Sequence, residues 1–452
     1  MKETQNLKQK YIQFLKILLP ILVTQVTMSL MTFFDTTMSG HASPADLAGA
    51  AIGSSIWVPV QTGLSGILMG ITPIVSQLVG GGQQNKVGYH VMQALWLAVA
   101  VSLVVLIAGG LLISPILNGM HLEPKVHHVA FYFLVALSTG ILPLFGYIVI
   151  RSFIDSLGQT RVSMLITLVS LPLNVCAGYV LIFGRFGFPR LGGIGSGIAT
   201  AFTYWCIFLL ALGIVHKMQP FAGYGVFRKF HAISLAKWKE LMKIGVPIGF
   251  AIFFETAVFA AVTLLMSRFD TLTIAAHQAA NNFASTLYMI PLSICLALTI
   301  LVSFETGAKR LKDAKQYGVL GILTAACLSL LTAVILMVFR EGVAGLYSSE
   351  PEVIALISHF LVYAIFFQIS DAIATPVQGV LRGYKDVNPG FWITLLAFWV
   401  IGLPLGYGLA NFTKLGPYGY WIGLITGLGV AAILLLRRLF VIQRRMELRL
   451  GA

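Results

Sequence analysis

The sequence predicts an all-α membrane protein: twelve transmembrane helices in two parallel-repeat six-helix lobes. Of 452 residues, 58% are hydrophobic and only 10% charged, against about a quarter charged in soluble domains. Apolar windows of about 20 residues, the length that crosses a bilayer as a helix, recur along the whole chain. The first two windows of each half also repeat one another at a fixed spacing.

The windows centre near residues 25, 62, 103, 140, 173, 204, 254, 289, 328, 366, 400 and 429. The chain starts MKETQNLKQK, basic as a signal peptide is, but the apolar run continues through Phe34 with no small-residue cleavage site. It therefore reads as a retained first span. At an offset of 227 residues Pro20 meets Pro247, Ala48 meets Ala275, and T-x-x-V-S-x-x-x-G from Thr72 to Gly80 meets the same letters from Thr299 to Gly307. Six spans return the chain to its starting side, so the halves are parallel repeats about an axis normal to the membrane. The expected division is an N-terminal lobe over 1–216, a linker over 217–237 and a C-terminal lobe over 238–452.

A formal net charge of +14 raises nucleic acid as a partner, but the basic residues gather between the windows, where membrane topology accounts for them. With the N-terminus inside, 24 of the 30 lysines and arginines, Lys2 and Arg449 among them, fall in inner segments. Six (Lys125, Arg185, Arg190, Arg268, Arg340 and Lys414) fall outside. Both termini are thus expected on the cytoplasmic side of a multi-pass protein of the cell's inner membrane, with no nucleic-acid partner. The linker, KMQPFAGYGVFRKFHAISLAK, is expected to lie on anionic lipid headgroups. Cys176, Cys206, Cys295 and Cys327 all lie in apolar windows without CxxC or Cys/His spacing, which suggests neither a disulfide framework nor a zinc site.

Three windows carry one acid each: Asp35 in SLMTFFDTTMSG, Glu255 in IFFETAVFAAVTLLM and Asp371 in FFQISDAIATPVQG. An acid at mid-bilayer costs about 2.5–3.5 kcal/mol on insertion scales and asks for a function; the structural alternative is a protonated acid bonding a neighbouring helix. At the helical rise, Glu255 lies about 18 Å beyond Lys243 and Asp371 about 16 Å before Arg382, a shared depth, with Asp35 further outward. In the repeat register Asp35 meets Val262 and Glu255 meets Met28. One half therefore holds a pair and the other a single acid.

Two carboxylates close together in a low dielectric require a shared proton or an intervening cation. Glu255 and Asp371 are accordingly expected to bind a coupling ion, Na+ or H+, with no resident cofactor. Tyr288 can offer a hydroxyl or ring face, and Asn281 and Asn282 carbonyl oxygens; a purely structural tyrosine is an equal reading. Asp35, alone and desolvated, is suited to exchange a proton for a cationic or polar substrate. Gln278 and Gln368 read as interhelical hydrogen-bonders, and Asp155 and Glu305, beside basic residues at span ends, as structural. Prolines in or near the spans (Pro20, Pro59, Pro73, Pro143, Pro172, Pro247, Pro291, Pro376, Pro404) open backbone bonds and allow kinks. Phe33, Phe34, Phe253, Phe254, Phe366 and Phe367 precede the acids and suggest a cavity suited to flat apolar cations, although for any single ring a lipid-facing position is the plainer reading.

Over essentially its full length the chain resembles the multidrug and toxic compound extrusion transporters of the NorM type. The resemblance rests on MTFFDTTMSG, IGVPIGFAIFFETAVF, HQAANNFASTLYMIPLSI, QISDAIATPVQGVLRGYKD and the turn FGRFGFPRLGGIG. It implies a V-shaped pair of six-helix lobes that exports organic cations and drugs in exchange for Na+ or H+; a monomer is the expected form. It also implies an acidic pair at Glu255 and Asp371, an aromatic neighbour at Tyr288, and a first-lobe acid at Asp35 with Asn174 beside it. Gly184, Gly187, Pro189, Tyr384, Lys385 and Pro389 match its loop signatures. Many relatives carry Asn or Asp four residues after Asn174, where this chain has Gly178; a first-lobe cation cage would lack that ligand, which places the coupling ion in the second lobe. A flippase for lipid-linked precursors would share the architecture but need a cavity rich in Arg and Lys. An intramembrane enzyme is disfavoured, since the chain has no HExxH and no GxGD.

Overall fold

The computed structural model describes Met1 and residues 3–450, with side chains through Leu448; Lys2 and the Arg449 side chain lie outside the described residues. The first half folds as α1 (Leu7–Ala42), α2 (Pro44–Leu68), α3 (Ile71–Gly80), α4 (Val87–Gly119), α5 (Pro124–Ser138), α6 (Ile141–Ser156), α7 (Thr160–Phe183) and α8 (Gly193–Lys217). The second folds as α9 (Leu235–Met266), α10 (Thr271–Gly307), α11 (Leu311–Gly345), α12 (Pro351–Gly383), α13 (Val387–Leu395), a π-helical stretch (Leu396–Gly402), α14 (Leu403–Phe412) and α15 (Tyr418–Leu450).

Eleven helical stretches are long and apolar enough to cross a membrane, and α5 with α6, bent by 50°, makes a twelfth as one broken span. All twelve window centres fall on these spans, residue 140 at the α5–α6 break. Pro73, Pro143 and Pro404 occupy the first turns of α3, α6 and α14. A proline lacks the N–H that an incoming helix needs but is tolerated in a first turn, so these three mark where spans break.

The chain divides into two compact units, one of Met1 with Leu19–Gly249 and the other of Lys2–Leu18 with Phe250–Ala452. The divisions fall inside α1 and α9, the first helix of each repeat. Each of these helices carries its acid in one unit and its N-terminal portion in the other: Asp35 in the first and Glu255 in the second.

Within the first unit, Gln93 of α4 clamps the chain leading into α9. Its Nε2 donates to the Ala232 carbonyl at 2.7 Å and its Oε1 accepts from the Ser234 N–H at 2.9 Å, while Trp238 donates to its carbonyl at 3.1 Å. Gly245 of α9 then meets α2 so closely that an added Cβ would stand 2.1 Å from the Ile67 carbonyl oxygen. Small residues allow this approach of helix backbones.

Within the second unit, the Lys10 side chain is 3% exposed and its Nζ stands 2.9 Å from Asp313. The Thr4 hydroxyl lies 3.3 Å from that of Tyr317 on α11. At the repeat offset Thr4 corresponds to His231 and Tyr317 to His90; the His231 ring packs edge-on at 5.0 Å against Tyr89, one residue from that register. Arg438 of α15 grips Asp386 through both carboxylate oxygens, at 2.6 and 2.7 Å. Glu305, fully buried, accepts from Arg310 at 2.6 Å, and Asp155 accepts from Ser163.

Candidate functional site

In the second unit Asp371, 1% exposed on α12, accepts a hydrogen bond from Thr375 one turn later, Oγ1 to Oδ1 at 2.7 Å. Its other oxygen, Oδ2, is buried with no hydrogen-bond partner. Half-buried Glu255 on α9 lies within electrostatic reach of Asp371, and Tyr288 on α10 within reach of both. Arg382 and Cys295 complete the surroundings. Arg382, which marks the inner span boundary in the depth arithmetic, is itself only 8% exposed. Its guanidinium lies 3.4 Å from the Gln378 amide oxygen one turn earlier and acts electrostatically on Glu255. Asn282 is exposed, and its amide oxygen accepts from the Tyr347 hydroxyl at 3.2 Å. The structure thus gathers Glu255, Asp371 and Tyr288, and engages Asn282 elsewhere.

In the first unit Asp35 accepts from the Thr200 hydroxyl through Oδ2 at 3.2 Å, while Oδ1 is buried and unpartnered. Asn174, fully buried on α7, lies beside this carboxylate without reaching hydrogen-bond geometry, and neither of its polar side-chain atoms has a partner. Ser39, one turn after Asp35, has a buried, unpartnered hydroxyl as well. At Gly178 a Cβ would stand 2.8 Å from the Met38 Cε. The Met38 methyl fills the room that a longer residue at 178 would take.

Buried polar atoms without partners are rare, because each retains the penalty of desolvation. Four of them gather at Asp35, Ser39 and Asn174, and Asp371 carries one, while others such as Trp57 Nε1 and Ser358 Oγ stand elsewhere in the fold. Among the described residues no three or more His, Cys, Asp or Glu side chains come together as a metal site, so a cation held here would draw on one or two carboxylates plus neutral oxygens, the ligands hard cations favour. Thr200, Thr375 and Ser39 escaped sequence reasoning. Thr375 and Ser39 stand four residues after an acid, a same-face helical spacing that could have found them; nothing in the sequence links Thr200 to Asp35.

Acids with unsatisfied oxygens inside the apolar helices of each half of an internally repeated chain define a polytopic membrane transporter. The MatE family model matches residues 20–180 and again 247–408, two matches that begin at the repeat offset. The chain belongs to the MatE family, whose members are transporters and not enzymes. It is 57% identical over 445 residues to a probable multidrug resistance protein NorM of Bacillus anthracis, covering 98% of each chain. A protein of the same description from Bacillus subtilis (strain 168) is 56% identical over 445 residues, with the same coverage. The fold is that of a MATE solved in the bent conformation, with TM-score 0.89 at 16% identity over 98% of this chain and 97% of that one. It is likewise that of the eukaryotic MATE transporter AtDTX14, with TM-score 0.84 at 22% identity over 98% and 99%.

Proposed function

We propose that this protein is a multidrug exporter of the cell membrane, with both termini cytoplasmic, that expels organic cations and drugs in exchange for Na+ or H+. The observation that carries the coupling reading is the Asp371 Oδ2 atom, buried without a partner on a carboxylate within electrostatic reach of Glu255. A carboxylate pair so placed favours a bound proton or cation. Glu255 and Asp371 hold the coupling ion with Tyr288 alongside; Asp35, with Asn174 and Thr200, exchanges a proton for the substrate. Ion and drug favour opposite-facing states, so that each drives the other's release. The near-full-length likeness to NorM proteins described as multidrug resistance proteins supports the substrate class.

Dye efflux from inverted vesicles, driven in turn by a sodium gradient and a pH gradient, tests this reading. Transport under at least one gradient is expected. Transport under neither would overturn the coupling.

A further inference from the structure

Each acid of the second unit has a phenylalanine one helical turn away, and the two rings meet each other. Phe259 lies one turn after Glu255 on α9, and Phe367 one turn before Asp371 on α12. Three connections separate these helices, so they run in opposite directions, and both phenylalanines fall on the side of the acids toward the C-terminal end of α9. Their rings meet edge to face, with centroids 5.4 Å apart at 81°. Trp421 of α15 packs edge to face against Phe367 as well, at 6.4 Å and 86°. Trp421 and Phe367 are 1% and 7% exposed.

One layer further along stands His277 of α10, 2% exposed and touching three other helices. Its Nδ1 accepts from the Trp421 indole N–H at 3.1 Å, its Nε2 lies 3.3 Å from the Thr263 hydroxyl of α9, and its ring meets Phe360 of α12 at 6.1 Å. Indole N–H is only a donor, so Nδ1 carries no proton in this arrangement. The neutral ring then bears its proton on Nε2, which donates to Thr263. Both ring nitrogens are thereby committed, and together they tie the helix of Glu255 to the indole that backs the ring beside Asp371.

We propose that His277 is a positioning residue: through Trp421 it holds the Phe259–Phe367 ring pair as a seal over the Glu255–Asp371 site. The seal closes the site toward the C-terminal end of α9, which is the outer side in the orientation proposed above. Edge-to-face rings exclude water while remaining able to rotate apart, and a dry site strengthens every interaction the acids make. Its relevance to transport rests on the proposed ion-binding role of this pair; the seal itself is a matter of access.

The test is the rate at which a water-soluble carbodiimide with an added amine modifies Glu255 and Asp371, followed by mass spectrometry of the full-length protein in nanodiscs. Phe259→Ala, Trp421→Phe and His277→Leu are expected to speed modification by about tenfold, the factor that losing one buried hydrogen bond or packing contact brings to a local opening. His277→Gln, which keeps one donor and one acceptor, is expected to stay near the wild-type rate. Asp35 serves as the internal control, since a variant that merely loosens the fold would expose it equally. An unchanged rate in Phe259→Ala and His277→Leu would overturn the proposal, as would equal speeding of Asp35, or a His277→Gln rate equal to that of His277→Leu. Because modification requires no transport, failed coupling in the vesicle assay leaves this readout intact, and the two readings fail separately.

Discussion

Thr375 donates to one oxygen of Asp371 at 2.7 Å and leaves the other buried without a partner. A carboxylate half satisfied in this way keeps one face for a ligand. Glu255→Gln and Asp371→Asn are therefore expected to abolish gradient-driven efflux with expression intact, since each substitution keeps the shape and removes the charge. Thr375→Val removes a hydrogen bond to a charged group and is expected to weaken ion binding by about tenfold or more, measured as the ion concentration for half-maximal efflux. Cation-driven transport retained in either acid variant would remove the pair from the mechanism.

Asp35 belongs to the other unit and has its own partner in Thr200. Asp35→Asn should impair drug transport while ion binding at Glu255 and Asp371, followed by titration calorimetry, is preserved. Loss of that binding would mean that the two acid sites act as one.

The spans and the acids were legible in the sequence because both report on a single variable, the cost of polar groups in an apolar medium. The Glu255–Asp371 pairing also emerged, since helix rise fixes depth from residue number alone. Arg382 shows what that counting leaves out: it is 8% exposed, and position along the chain does not tell whether a basic residue near a span end is packed against its neighbours. Lys10 repeats the lesson, because as a charge count it reports topology while the structure pairs it with Asp313, 303 residues away. Which side chain meets which across helices, as Thr200 meets Asp35 and His277 meets Trp421, depends on helix rotation and packing that no local pattern encodes. The assignment of Lys2–Leu18 to the second unit likewise has no signature in hydropathy, because a helix reads the same whichever neighbour covers it.

Two glycines of the first unit should respond differently to a methyl group. At Gly178 the added Cβ would meet the Met38 Cε, the far end of a flexible chain, at 2.8 Å. Gly178→Ala is expected to leave the melting midpoint almost unchanged. At Gly195 of α8 the nearest atoms are the Leu181 carbonyl carbon and oxygen of α7, both at 2.7 Å. Backbone in a packed helix cannot yield locally, so Gly195→Ala is expected to cost about 1–3 kcal/mol by overpacking. Thermal unfolding in detergent compares the two directly, and equal midpoints would show that the α7–α8 approach is not tight.

Lys10 and Asp313 test whether the N-terminal segment is held to its unit by charge. The Lys10 side chain is 3% exposed and that of Asp313 23%; the other bond of the ammonium runs to the Thr4 carbonyl at 3.3 Å. Removing the carboxylate alone leaves a nearly buried ammonium without its counter-ion, so Asp313→Ala is expected to destabilise by about 1–3 kcal/mol, given the partial solvent access of the aspartate. Removing both charges should undo much of this, because an apolar pair has no uncompensated charge to desolvate. Lys10→Met combined with Asp313→Ala is thus predicted to melt above Asp313→Ala alone. Hydrogen exchange over residues 3–18 locates the effect: faster exchange in the single variant and recovery in the double would assign the hold to this ion pair, whereas equal exchange in all three would assign it to the apolar face of α1.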